Sequence, residues 1–141
     1  MTTAAQPTQR LETRQLLPLA VIGGIIGAVL NVVVALIAPI LLGQPLQVIA
    51  PNSPDPQPLL LVAVILASIV PALFAAGVLW LLGRFTRAPI RNFQIIGAVI
   101  ALLSLSGSLG MPVGLGTQLT LSLMHLIAAA SIILALSRAR A

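Results

Sequence analysis

The chain of 141 residues contains one histidine, His125, no cysteine, two acidic residues, Glu12 and Asp55, and seven basic residues, all of them arginine. This inventory limits the available chemistry. Without cysteine there is no thiol nucleophile, thiolate metal site or disulfide. A serine nucleophile needs a base beside it and a third group to orient that base, and a single histidine with no acid near it cannot supply both. A metal site fails the same count, because Glu12 and Asp55 lie in segments that the apolar stretches hold apart. The glycine-rich run from Gly107 to Gly116 lacks the Lys and following Ser or Thr of a phosphate loop and reads as a turn. The expectation is a protein that is not an enzyme and needs no cofactor.

Four polar side chains nevertheless fall where polarity is costly. Asn31 lies 17 residues beyond Arg14, Ser68 lies 16 before Arg84, Ser104 lies 13 beyond Arg91 and His125 lies 13 before Arg138. At about 1.5 Å per helical residue, all four sit roughly 20 to 25 Å from the arginine level. The shared depth predicts that Asn31, Ser68, Ser104 and His125 meet in one hydrogen-bonded layer near the middle of a membrane. Pro71 belongs to the same layer, since it removes a backbone donor and frees the carbonyl of Ala67 for an Asn or His donor. An ionisable residue at such a depth is a functional-site hypothesis by default. Three roles stand for His125: a neutral lock between helices, a handler of protons or solutes, or an axial ligand for a haem or chlorophyll-type pigment, with Ala128 and Ala129 admitting a ring but Leu121 bulky one turn earlier. The lock is expected, because no Asp, Glu, Lys or Arg lies at that depth to exchange a proton with it.

The elements that position these residues follow from composition. Hydrophobic residues make up 59% of the chain and charged residues 6%, against roughly 25% charged in soluble domains, so the natural solvent is a bilayer. Forty uncharged residues separate Arg14 from Asp55, and their apolar part, 16–42, exceeds the ~20 residues that cross a membrane. A second apolar run, 59–83, follows the prolines at 51, 54, 56 and 58. The 46 uncharged residues between Arg91 and Arg138 would form a helix of about 69 Å, more than twice the hydrocarbon thickness, so they must fold back. The turn at Gly107 to Gly116 divides them into spans at 93–109 and 118–136. The predicted fold is all-α, an integral-membrane antiparallel four-helix bundle over residues 15–138, with a disordered leader at 1–14 and a short tail at 139–141. The first run is too long for a secretory signal, whose apolar region covers only ~7 to 15 residues. The proline-rich connector from Gln44 to Pro58 reads as a stiff interfacial cap.

In lipid, helices meet through small residues and polar partners. Such stripes run along every span: Gly24, Gly27, Ala28, Asn31, Ala35 and Ala38; Ser68, Ala72, Ala75 and Ala76; Gln94, Gly97, Ala101, Ser104 and Ser108; and Gln118, Ser122, His125, Ala129 and Ile132. Charge orients the bundle. Arg10 and Arg14 precede the first span, Arg84, Arg87 and Arg91 link the second and third, and Arg138 and Arg140 follow the fourth. All seven share one side, so the positive-inside rule places both termini and the middle loop in the cytoplasm, with the protein in the plasma (inner) membrane. The net charge of +5 is explained by topology, and no nucleic-acid partner is implied. The expected partners are the lipid bilayer and, within it, other membrane proteins or a second copy.

The fourth span, LSLMHLIAAA over residues 121–130, together with Asn31, Pro71 and the Arg-rich middle loop, resembles an uncharacterised family of small four-helix bacterial membrane proteins. Its most recognisable part is the pair Met124 and His125. The resemblance covers most of residues 14 to 138 and implies a multi-pass plasma-membrane protein, with no activity to carry over. The functional expectation is a non-catalytic accessory or scaffold subunit. The alternative is a small transporter or channel-like protein that uses the polar layer.

Overall fold

A computed structural model describes residues 11–49 and 54–140. Four helices dominate it: α1 at Leu16–Leu42, α2 at Leu61–Phe85, α3 at Pro89–Leu109 and α4 at Leu115–Leu136. Each is long and apolar enough to cross a membrane, and their outer faces expose large side chains such as Ile25, Leu36, Leu66 and Leu103. Apolar side chains facing outward all round a small bundle are tolerable only in a lipid solvent. This is a multi-pass membrane protein.

Local signals set the helix ends. The first helix stops at Leu42 because Gly43 adopts the left-handed conformation, with φ +66°, that terminates helices without a Cβ penalty. The second begins at Leu61 rather than at 59, since the Leu59 N–H continues the connector's pairing by donating to the Leu46 carbonyl at 2.9 Å and Leu60 stays extended. It runs on through Arg84 to Phe85. The third begins at Pro89, four residues earlier than charge spacing suggests, because proline is pre-organised for the first helical turn. The fourth begins at Leu115, straight after Gly114.

Two features depart from the expected outline. The connector between α1 and α2 forms a small antiparallel hairpin, β1 at Gln47–Ile49 and β2 at Pro56–Pro58, paired Gln47 to Pro58 and Ile49 to Pro56. The leader is ordered from residue 11: Leu11 packs against the core beside Gly83, Glu12 N–H donates to the Ala139 carbonyl at 3.3 Å, and Leu11 bridges to Arg140. Leu11, half-buried, packs there because Gly83 offers no side chain. Residues 1–10, including Arg10, lie outside the described residues.

The helices run antiparallel. The start of α1, the end of α2, the start of α3 and the end of α4 gather at one end, where Gln94 Nε2 donates to Ser137 Oγ at 2.9 Å and Leu16, Leu79, Ile90, Phe93 and Leu136 form one core cluster. The six described arginines, Arg14, Arg84, Arg87, Arg91, Arg138 and Arg140, are exposed at or near this end, with the Arg84 guanidinium 4.2 Å from the Trp80 ring centre. A second core cluster, Ala35, Val64, Leu121 and Met124, sits toward the hairpin end.

Candidate functional site

The small-residue stripes do separate jobs. On α1, Gly23 and Gly27 face α4: a Cβ on Gly23 would lie 2.9 Å from Ala135 Cβ and 3.1 Å from the Ser131 carbonyl oxygen. Gly24, one residue on, faces α2, with Ile69 Cα 3.2 Å from where its Cβ would be. The helix is therefore wedged between α2 and α4 at nearly backbone contact, the close approach that glycine allows in lipid. On α3 the stripe faces α4, through Gln94, Gly97 and Ser108. The remaining neighbours, α2 and α3, touch only lightly.

The polar residues follow this geometry and divide into two pairs. Asn31 Nδ2 donates to Ser68 Oγ at 3.2 Å across the α1–α2 seam, and the Ser68 hydroxyl donates to the Val64 carbonyl at 3.0 Å. Both side chains are buried. His125 Nδ1 lies 2.8 Å from the Leu121 carbonyl one turn back on α4, and 3.3 Å from Ser108 Oγ on α3. Ser104 joins neither pair, since its hydroxyl donates to Ala101 within α3 at 2.7 Å. The single layer of Asn31, Ser68, Ser104 and His125 is thus corrected to one pair on each side of the bundle. Equal depth along a helix does not set the angle around it, and α1 and α3 stand on opposite corners. Pro71 lies inside α2, but neither Asn31 nor His125 donates to the freed Ala67 carbonyl.

Among the described residues, two buried side-chain atoms, Asn31 Oδ1 and Ser122 Oγ, have no hydrogen-bond partner. The Asn31 amide is therefore half satisfied, and its bond to Ser68 is the interaction that keeps it from being orphaned in a buried seam.

Where α2 and α3 stand apart, a cavity of about 570 Å³ opens between α2, α3 and α4. Its walls are apolar, with Val78, Phe93, Ile100 and Ile132 among them, and its only polar side chains are Ser104 and His125. Ala67 and Pro71 line it as well, and Pro71 leaves the Ala67 carbonyl without its helical donor.

A profile described as a family of unknown function (DUF6069) matches residues 11–141. The chain belongs to the DUF6069 family. No curated protein and no solved structure matches it. The matched region takes in all four helices of this DUF6069 chain together with the ordered Leu11 and Glu12.

Sequence reasoning placed Ser108 in the α3 stripe without giving it a partner, although one further helical turn from Ser104 was signal enough to consider it. The cavity left no sequence signal of its own. It arises because α2 leans on α1 through Ser68, Ala72 and Ala76 while α3 leans on α4.

Proposed function

We propose that this protein is a non-catalytic accessory subunit that works by binding inside the bilayer rather than by turnover or conduction. The observation that supports this is the fate of its polar groups. Asn31, Ser68, Ser104 and the Nδ1 side of His125 are spent on bonds within and between helices, and the cavity between α2, α3 and α4 is lined almost wholly by apolar residues. A transport path would need a run of polar groups for water to follow, and Ser104 and His125 are too few to line one.

The same reading places the protein in the plasma membrane with both termini in the cytoplasm, supported by the arginines gathered at one end. Its partner is another membrane protein or a second copy, seated among the exposed apolar faces. Gentle purification from native membranes tests the proposal, with co-purifying chains and the mass of the intact assembly recorded. A stoichiometric partner is the expected result, and a chain that emerges alone and monomeric overturns it. The orientation is tested by single cysteines placed at Thr86 and at Gln57. Because the chain has no cysteine of its own, labelling by an impermeant thiol reagent from outside is expected at Gln57→Cys only.

A further inference from the structure

The cavity between α2, α3 and α4 offers polar groups of one kind only. A carbonyl can accept but not donate, so the 2.8 Å contact between His125 Nδ1 and the Leu121 carbonyl places the hydrogen of the neutral ring on Nδ1. Nε2 is left as a bare acceptor. It has no hydrogen-bond partner among the described residues, and the ring lines the cavity. The Ser104 hydroxyl has committed its hydrogen to Ala101, so only lone pairs remain on its oxygen. Ala67 lines the cavity too, and its carbonyl, which Pro71 leaves without a helical donor, can only accept. A molecule that hydrogen-bonds within this space must therefore bring the donor.

Size and lining narrow the choice. About 570 Å³ falls within the ~300 to 1,000 Å³ of sites that enclose small ring-bearing molecules. Phe74 and Phe93 line the walls, and an aromatic ring gains from edge or face contact with such neighbours. The polar acceptors lie in mid-helix, away from the arginine end, so a lipid whose polar group belongs at the membrane surface would not reach them. An axially ligated pigment would rest on a single ligand, because His125 is the only histidine in the chain.

We propose that this cavity binds a lipid-soluble phenol, an aromatic alcohol with an apolar tail, whose hydroxyl donates to Nε2 of His125 while Leu121 fixes the ring through Nδ1. The carbonyl behind Nδ1 orients the imidazole and keeps the acceptor pointed at the ligand. The site lies within one chain and does not depend on an accessory role. An isolated protein without partners would still carry it.

The test uses the full chain in lipid nanodiscs with 15N-labelled histidine, where one histidine gives one unambiguous pair of ring signals. Titration with 4-nonylphenol is expected to move the Nε2 resonance saturably away from its bare-acceptor position while the Nδ1 resonance stays. The methyl ether 4-nonylanisole has the same ring and tail without the donor, and is expected to bind at least about fivefold more weakly. Ala129→Phe fills the space beside His125 without touching the Nδ1 bond and is expected to abolish the phenol shift. Equal response to phenol and ether, no response to either, or a shift that survives Ala129→Phe overturns the proposal. So does a Soret band on adding haemin with loss of the Nε2 signal, which would make the nitrogen a metal ligand instead.

Discussion

The two sides of the bundle are built from the same residue types and behave differently. On the closed side, α1 lies against α2 and α4, with Gly23 and Gly24 at near-backbone contact and the Asn31–Ser68 bond buried in the seam. On the open side, α3 leans on α4, stands off α2, and leaves His125 at the wall of a cavity. Asn31 spends its donor on another helix. His125 spends Nδ1 mainly on its own helix and keeps a nitrogen to offer. Residues of similar polarity at similar depth thus divide into a lock and a binding group, and the difference lies in what packs around them.

Glycine substitutions break this comparison most sharply. Gly23→Ala would put a methyl 2.9 Å from Ala135 Cβ and 3.1 Å from the Ser131 carbonyl oxygen, neither of which can swing aside. We expect α1 and α4 to be forced apart at a cost of about 1 to 3 kcal/mol, read as a fall in thermal midpoint in detergent. Gly97→Ala on the open side meets Cδ1 of Ile133 at 2.9 Å and Cγ1 at 3.0 Å, both on one flexible side chain and neither of them backbone. Better helix propensity offsets that contact, and the change should stay within about 0.5 kcal/mol. Equal losses in the two variants would show that the two sides are equally tight.

The serines sharpen the comparison by smaller amounts. Ser68→Ala removes the partner of the Asn31 amide in a buried seam, so about 1 to 2 kcal/mol should be lost. Ser108→Ala leaves His125 Nδ1 its shorter bond to Leu121, and the expected loss is about 0.5 kcal/mol or less. Unfolding of both variants in the same detergent, ranked against the unaltered chain, checks the order. A Ser108 variant less stable than the Ser68 variant would reverse the assignment of lock and binding group.

Much of this architecture was legible as spacing. The range of α1 and the turn before α4 follow from charge gaps, glycines and length against bilayer thickness, because lipid forbids charges and demands satisfied backbones. The stripes of α1 and α2 told which faces would be buried, and Asn31, Ser68, Ala72 and Ala76 are buried as their periodicity requires, whereas in the other two stripes Gln94, Gly97 and Ser104 are only half-buried and His125 is exposed. The hairpin was less legible, since Pro56 and Pro58 argue against a strand, and three-residue strands leave almost no periodic trace. The ordering of Leu11 was not legible either. Its site exists only where Gly83 of another helix leaves room.

The sequence by itself determined that there are four helices, how far along its helix each polar residue lies and that the described arginines share one end, because these depend on distance along a helix and on the transfer of charge into lipid. Only the tertiary structure decided which polar residues meet. Partnership depends on the rotation of each helix and on which corner of the bundle it occupies, and those follow from the sum of small contacts at Gly23, Gly24 and Gly27. That sum turned α1 toward α2 and α4, separated Ser104 from Asn31, and left His125 facing an open cavity.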